Sequence, residues 1–300
     1  MAKRLFRLGA LLAASLIASV AEAAVAGDAP DNEIVVTGLR ESEAAAAEFV
    51  GAISVDHDNQ IARFEGSICP AAFGLPGGEK SAVESRLHAV AEEVGIEVGR
   101  PDCRPNLVVI VAADPVDFIR TLHRKRPGLF RDAERRDIAR LTAASTPGQA
   151  WHLLERRESD GRRAEHFVDT RGEFMDAHLT PSHQFSRLKK SMRPALTLAF
   201  VVIDLESAKG LTVPQLADYW AMRTLAMTRP GTAVAAEGRS ILGLFDDRRA
   251  GRAPAQSLTA RDLAYLKALY STRSVSTAAQ QRATMARIAA RELAGRMHER

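Results

Sequence analysis

Residues 215 to 227, QLADYWAMRTLAM, set a carboxylate, a phenol and a guanidinium (Asp218, Tyr219 and Arg223) into an otherwise apolar run. Asp218 and Arg223 are five apart, hence on different faces of a helix, and do not suit a direct intrahelical pair. Two readings follow. Either the two charges reach the helix margins and bond locally while Leu216 and Trp220 enter the core, or Asp218, Tyr219 and Arg223 line a cleft and bind a polar ligand. Other groups that could do chemistry are scattered. Of the eight histidines only His178 and His183 are close, in HLTPSH, where the intervening proline argues against a helical metal pair and for an exposed loop or hairpin. No Gly-x-Ser-x-Gly elbow, Ser-x-x-Lys pair or phosphate loop occurs. No catalytic residue, metal site or cofactor is therefore expected.

The elements that must position these groups begin after a leader. Lys3, Arg4 and Arg7 precede an apolar run from Leu8 to Val20 and the small-residue triplet Ala21-Glu22-Ala23, the pattern of a secretory signal peptide over residues 1–23. The run is shorter than the roughly 20 apolar residues a membrane helix needs. A periplasmic or secreted protein is expected. Losing Lys3, Arg4, Arg7 and Glu22 lowers the formal net charge from +4 to +2, so much of the basic character belongs to the leader. Cys69 and Cys103, the only two cysteines, are expected to form a disulfide, since their spacing is far from Cys-x-x-Cys and too few for a structural zinc. The basic runs at residues 120–136 and 155–163 are interleaved with acids, and no aromatic residues are spaced for base stacking. That excludes nucleic acid as the expected partner and leaves an anionic envelope component as the more plausible one.

Along the chain, residues 24–48 read as a mobile arm interrupted by one short extended element, EIVVTGLR. A single globular domain is expected over 49–300. Its first helix is expected to start at Ser81, with Glu84 completing a capping box and Val83, Leu87, Val90, Ala91 and Val94 forming the apolar stripe. NLVVIVAAD then reads as a buried strand, and Asp114, Pro115 and Asp117 as the start of another helix. A further helix is expected near 132–144 and a β-hairpin around Ser159-Asp160-Gly161. Leu196 to Leu205 is the most apolar strand and the natural centre of a sheet. The chain ends in two helices, one capped by Thr259 with Asp262 and one from about Ala278. Strands alternating with helices predict an α/β (α+β) fold with a mixed sheet packed by helices.

Strand, short connection and apolar helix in this order resemble the core of the zincin metallopeptidases, in which two helical His one turn apart hold zinc and a Glu beside the first acts as base. With Ala226 at the small-residue position of that pattern, Tyr219 and Arg223 stand at the two His positions and Trp220 at the Glu. No His lies between His183 and His298, so zinc peptidase chemistry on this helix is excluded. Residues 196–270, including the segment SILGLFDDRRAGRAPAQSLTARDLAYLKALY, are similar to uncharacterised secreted alphaproteobacterial (sphingomonad-type) proteins with a degenerate zincin-like core. The resemblance implies a shape and no activity.

Glu33 to Arg40 resembles a segment near the start of many TonB-dependent outer-membrane transporters, which adds as a strand to the energising protein. It implies either an edge strand of this protein's own sheet or a docking peptide, Ile34, Val35, Val36, Thr37 and Gly38, for a TonB-like partner. The combined expectation is an exported protein that binds and does not catalyse. An envelope hydrolase with an unrecognised site and a docking protein are the alternatives.

Overall fold

The computed structural model describes residues 32–143, 147–163, 167–168, 174–175 and 192–298. The expected signal peptide, His178 and His183 lie outside the described residues. The elements in order are α1 (Asn32–Ile53), β1 (Arg63–Phe64), β2 (Pro70–Phe73), α2 (Gly77–Glu93), β3 (Leu107–Ala112), α3 (Pro115–Lys125), α4 (Arg135–Leu141) and β4 (Gly148–Glu158). They continue with β5 (Phe167–Val168), β6 (Phe174–Met175), β7 (Met192–Asp204), α5 (Leu205–Ala208), α6 (Val213–Thr224), α7 (Leu244–Arg249), α8 (Ala260–Ser271) and α9 (Ala278–His298).

The fold is α/β, as expected, with a mixed and mostly parallel sheet packed by helices. β7 is its centre. β1 and β3 run parallel to β7 at residues 195–196 and 199–204, β2 lies parallel outside β3, and β4 runs antiparallel to β7 over residues 148–158. Helix α2 joins the parallel neighbours β2 and β3, so the unit is a βαβ crossover. β7 and β3 are near-continuously apolar because both sheet faces are covered. Leu107, Val109, Ala199, Val201 and Ile203 enter the larger core with α1, α2, α6, α8 and α9. Ile110, Phe200 and Val202 enter a smaller core on the other face, where Trp151 stacks between Phe130 and Phe200 at centroid distances of 4.8 and 4.7 Å.

Local chemistry explains the element boundaries. The Asp114 side chain accepts from the Asp117 amide at 2.9 Å and caps α3, and the Thr259–Asp262 capping box starts α8. Cys69 and Cys103 form a disulfide with Cα atoms 6.0 Å apart, tying the approach of α2 to the segment beyond it. The Arg157–Arg163 bridge and Gly161 at positive φ form the hairpin turn after β4, whose arginines pair with the interleaved acids.

Three expectations are corrected. α2 starts at Gly77, one turn before Ser81; the Ser81 hydroxyl donates back to the Gly77 carbonyl, and Glu84 accepts from the Ala72 amide at 2.8 Å instead of completing a capping box. α4 is shorter than expected, with a capping box of Glu134 and Asp137, because the Asp132 carboxylate accepts from the Leu154 amide. The largest correction concerns the arm. The backbone is helical from Asn32 to Ile53, so Ile34, Val35, Val36, Thr37 and Gly38 do not form an extended segment. Ala46, Phe49, Val50 and Ile53, at i, i+3, i+4 and i+7, enter the larger core, and the Phe49 ring meets Tyr265 edge-on at 6.2 Å. An alanine-rich helix anchored on that stripe extends back through the β-branched residues, overriding their strand preference.

A candidate binding cleft between strand β4 and helix α6

Thr212 and Gln215 form a capping box at the start of α6, with Pro214 in its first turn, and the helix then runs through the larger core. Leu216 and Trp220 are core residues. The three candidate residues of this helix, Asp218, Tyr219 and Arg223, divide between its two sides.

On the side facing α2, Asp218 is fully buried and balanced. Arg86 of α2 grips it with Nε to Oδ1 at 2.7 Å and Nη2 to Oδ2 at 2.9 Å, and the Leu258 amide donates to Oδ2 at 2.7 Å. The paired carboxylate in turn raises the Arg86 pKa through this hydrogen bond. Asp218 thus locks α6 to α2 and to the approach to α8, and it does not line the cleft expected from the sequence.

On the side facing β4, Tyr219 and Arg223 lie one turn apart; burial raises the Tyr219 pKa, and the Arg223 charge works against that rise. Tyr219 is 1% exposed, so it stands behind the cleft wall. Its ring packs edge-on against Phe245 at 4.9 Å. The hydroxyl reaches so close to β4 that a Cβ at Gly148 would sit 2.8 Å from it, and only glycine leaves that space. Arg223 Nη1 donates to the Thr228 carbonyl and lies 3.5 Å from the Thr228 hydroxyl. Its Nε is buried with no hydrogen-bond partner among the described residues. Arg223 is 7% exposed, yet among the described residues no carboxylate pairs with it. Burial pushes its pKa below the ordinary value, and the neighbouring Arg140 cation adds to the effect. A guanidinium nevertheless keeps its charge.

Arg223 forms part of the wall of a cavity of about 830 Å³. The cavity is bounded by β4, by α4 and the residues before it, by residues 227–230 after α6, and by residues 55–57. Among the described residues four acids line it, and each is engaged elsewhere. Asp132 accepts from the Leu154 amide, Glu134 pairs with Arg136 at 3.1 Å, Asp137 with Arg140 at 2.9 Å, and Asp56 with Arg282. A second cavity of about 630 Å³ adjoins through His57, Asp132 and Leu154, with its own charges paired as Arg156–Asp58 and Arg193–Glu65, each at 3.0 Å.

Sequence reasoning missed His152. It lies on β4 next to Trp151, and strand alternation turns it to the opposite face, toward α6. Its Nε2 is shielded from solvent and has no hydrogen-bond partner among the described residues. Burial, reinforced by the Arg223 charge, pushes the His152 pKa down to about 3, so the ring is neutral at pH 7. The available signal was only a histidine within the run AWHLL of an edge strand. Arg223, whose charge acts on it, lies 71 positions later, and no spacing rule links them.

Among the described residues, no three His, Cys, Asp or Glu side chains come together to hold a metal ion. No described helix is long and apolar enough to cross a membrane. No protein-family description, curated protein sequence or solved structure matches the chain.

Proposed function

We propose that this is an exported, periplasmic or secreted binding protein that holds a small anionic ligand in the cleft between β4 and α6 and carries out no reaction on it. One observation carries the reading: Arg223, a buried cation on the cleft wall, has no counter-ion among the described residues. Burying an uncompensated charge is costly, and proteins retain such a group where something else completes it. The cavity volume is in the range of small-molecule sites. The disulfide supports an oxidising compartment.

The degenerate zincin shape belongs to the same reading. Tyr219 and Arg223 stand at the two metal-ligand positions of that pattern, and the space beside Arg223 would take an anion instead of a metal and its substrate. A hydrolase has less support, because no serine or cysteine is among the described residues lining the cleft and His152 is too weak a base at its depressed pKa. Docking by strand addition is not carried forward, since the backbone of residues 32–38 is helical.

The test is native mass spectrometry of the protein released from its source envelope without denaturation. A small acidic molecule should accompany the wild type and be absent from Arg223→Met. A ligand retained undiminished by that variant would sink the reading.

A further inference from the structure

Helix α3 lays its apolar side, Phe118, Ile119 and Leu122, on the smaller core. Its other side is basic. From Phe118 to Arg131 the chain has five arginines and lysines and no acid. Arg131 is paired with Asp132 at 3.4 Å, and the acids that follow are taken as well, Glu134 by Arg136 and Asp137 by Arg140. Arg120, Arg124, Lys125 and Arg126 are exposed, and no described carboxylate pairs with any of them. Arg124 reaches only the Thr121 hydroxyl, at 3.2 Å. The basic run that reads in the sequence as interleaved with acids therefore divides in the folded chain, and residues 120–126 are left uncompensated.

Helix geometry sets the spacing of these four charges. Arg120 and Arg124 are one turn apart on one face, about 6 Å between Cβ atoms, and Lys125 and Arg126 follow at the helix end. The fold itself gains little from them. The negative end of α3 favours bases in its last turn, but Arg120 lies a turn earlier, and like charges one turn apart work against the helix. Four uncompensated cations also exceed the net charge of +2 expected without the leader, so the rest of the chain is acidic on balance.

The surface offers charge and little else. No Asn, Gln, Tyr or Trp occurs from Phe118 to Arg131, so the amides and flat exposed rings that read individual sugars are missing. A cluster of cations without directional neighbours recognises charge density, which an anionic bilayer presents across a plane. No described helix is long and apolar enough to cross that bilayer, so the contact would be made from its surface.

We propose that this side of α3 docks the protein reversibly on anionic phospholipid headgroups, through Arg120, Arg124, Lys125 and Arg126 and independently of the cleft.

The experiment is sedimentation of the full mature protein with vesicles of phosphatidylglycerol and phosphatidylcholine in equal parts, against vesicles of phosphatidylcholine alone. The protein should bind the first and not the second, and about 0.5 M NaCl should release it, since charges on a surface are screened at that ionic strength. Each base near an anionic bilayer strengthens binding about fivefold, so Arg120→Gln with Arg124→Gln should weaken it about 25-fold. Replacing all four by Gln should leave only the level seen with neutral vesicles. Arg287→Gln with Arg291→Gln removes two exposed arginines one turn apart on α9 and should bind like the wild type. Thermal melts check that each variant is folded, and the double variant suffices if the fourfold one is not. Binding to neutral vesicles as strong as to anionic ones, or a loss in the α9 variant equal to that in the α3 variant, overturns the proposal. Binding of soluble polygalacturonate through the same four residues, with no binding to the anionic vesicles, would overturn it in favour of an acidic glycan.

Discussion

Asp218 and Arg223 are carried by one helix, five residues apart, and both are buried, yet their surroundings are opposite. Asp218 meets a bidentate arginine and a backbone amide, so every strong interaction it could make in the apolar interior is made. Arg223 meets the carbonyl and hydroxyl of Thr228, both neutral, with a second cation, Arg140, nearby. From the sequence the two are alike, single charges in an apolar helix. What separates a structural charge from a functional one here is whether the fold itself balances it. That difference can be tested by removing each charge in turn.

Asp218→Ala should have the largest effect. It leaves the Arg86 guanidinium and the Leu258 amide without their acceptor, and breaking a buried pair from one side costs about 3 to 5 kcal/mol. Arg86 keeps 36% of its side chain exposed, which places the expected loss toward the lower end. Urea unfolding measures it, and a loss below about 1 kcal/mol would mean the pair contributes little.

Gly148→Ala comes next, because the new methyl group would meet the Tyr219 hydroxyl at 2.8 Å within a packed core. Overpacking of this kind costs about 1 to 3 kcal/mol, and displacing the phenol should also disturb Arg223 and weaken ligand binding. Unchanged stability together with unchanged binding would show that the ring moves aside freely.

Arg223→Met should go the other way from Asp218→Ala. The substitution removes a desolvated cation that no described carboxylate balances, so stability should stay level or rise by up to about 1 kcal/mol while binding is lost. A loss of more than about 2 kcal/mol would mean that the neutral groups around Arg223 compensate it fully, and the contrast with Asp218 would disappear.

How far these features could be read beforehand follows from what each depends on. The stripe of α2, the buried strand β3, the central β7, the caps at Asp114 and Thr259 and the Cys69–Cys103 bridge are set by local patterning or by having a single available partner. Reading α6 as a helix with Asp218 and Arg223 on different faces was likewise local geometry. The partners were not legible: Arg86 lies 132 residues from Asp218, and His152 is on another strand from the helix it serves. Where local preference and tertiary packing disagreed, packing won. Ile34 to Val36 favour a strand by type, but the helix nucleated on Phe49 and Ile53 runs through them, and Ser81 reads as a cap although Pro76 and the two glycines after it begin α2 a turn earlier.

His152 gives the finest test of the unbalanced side. Its pKa falls from 6.5 to about 3 on folding, so between those values the unfolded chain binds a proton that the folded chain refuses. Its contribution to stability is therefore whole above pH 6.5 and is lost as pH falls toward 3. The Arg223 charge acts in the same direction on the ring, and removing it should lift the pKa partway back. Asp262, whose pKa is raised by burial, contributes with the opposite sign, but it is common to wild type and variant and cancels in their difference. Between pH 7.5 and pH 5 the melting temperature of His152→Asn should fall by a few degrees less than that of the wild type. Parallel pH profiles for wild type and His152→Asn would mean that the folded chain protonates the ring as readily as the unfolded chain does, and the burial of His152 would not govern its charge.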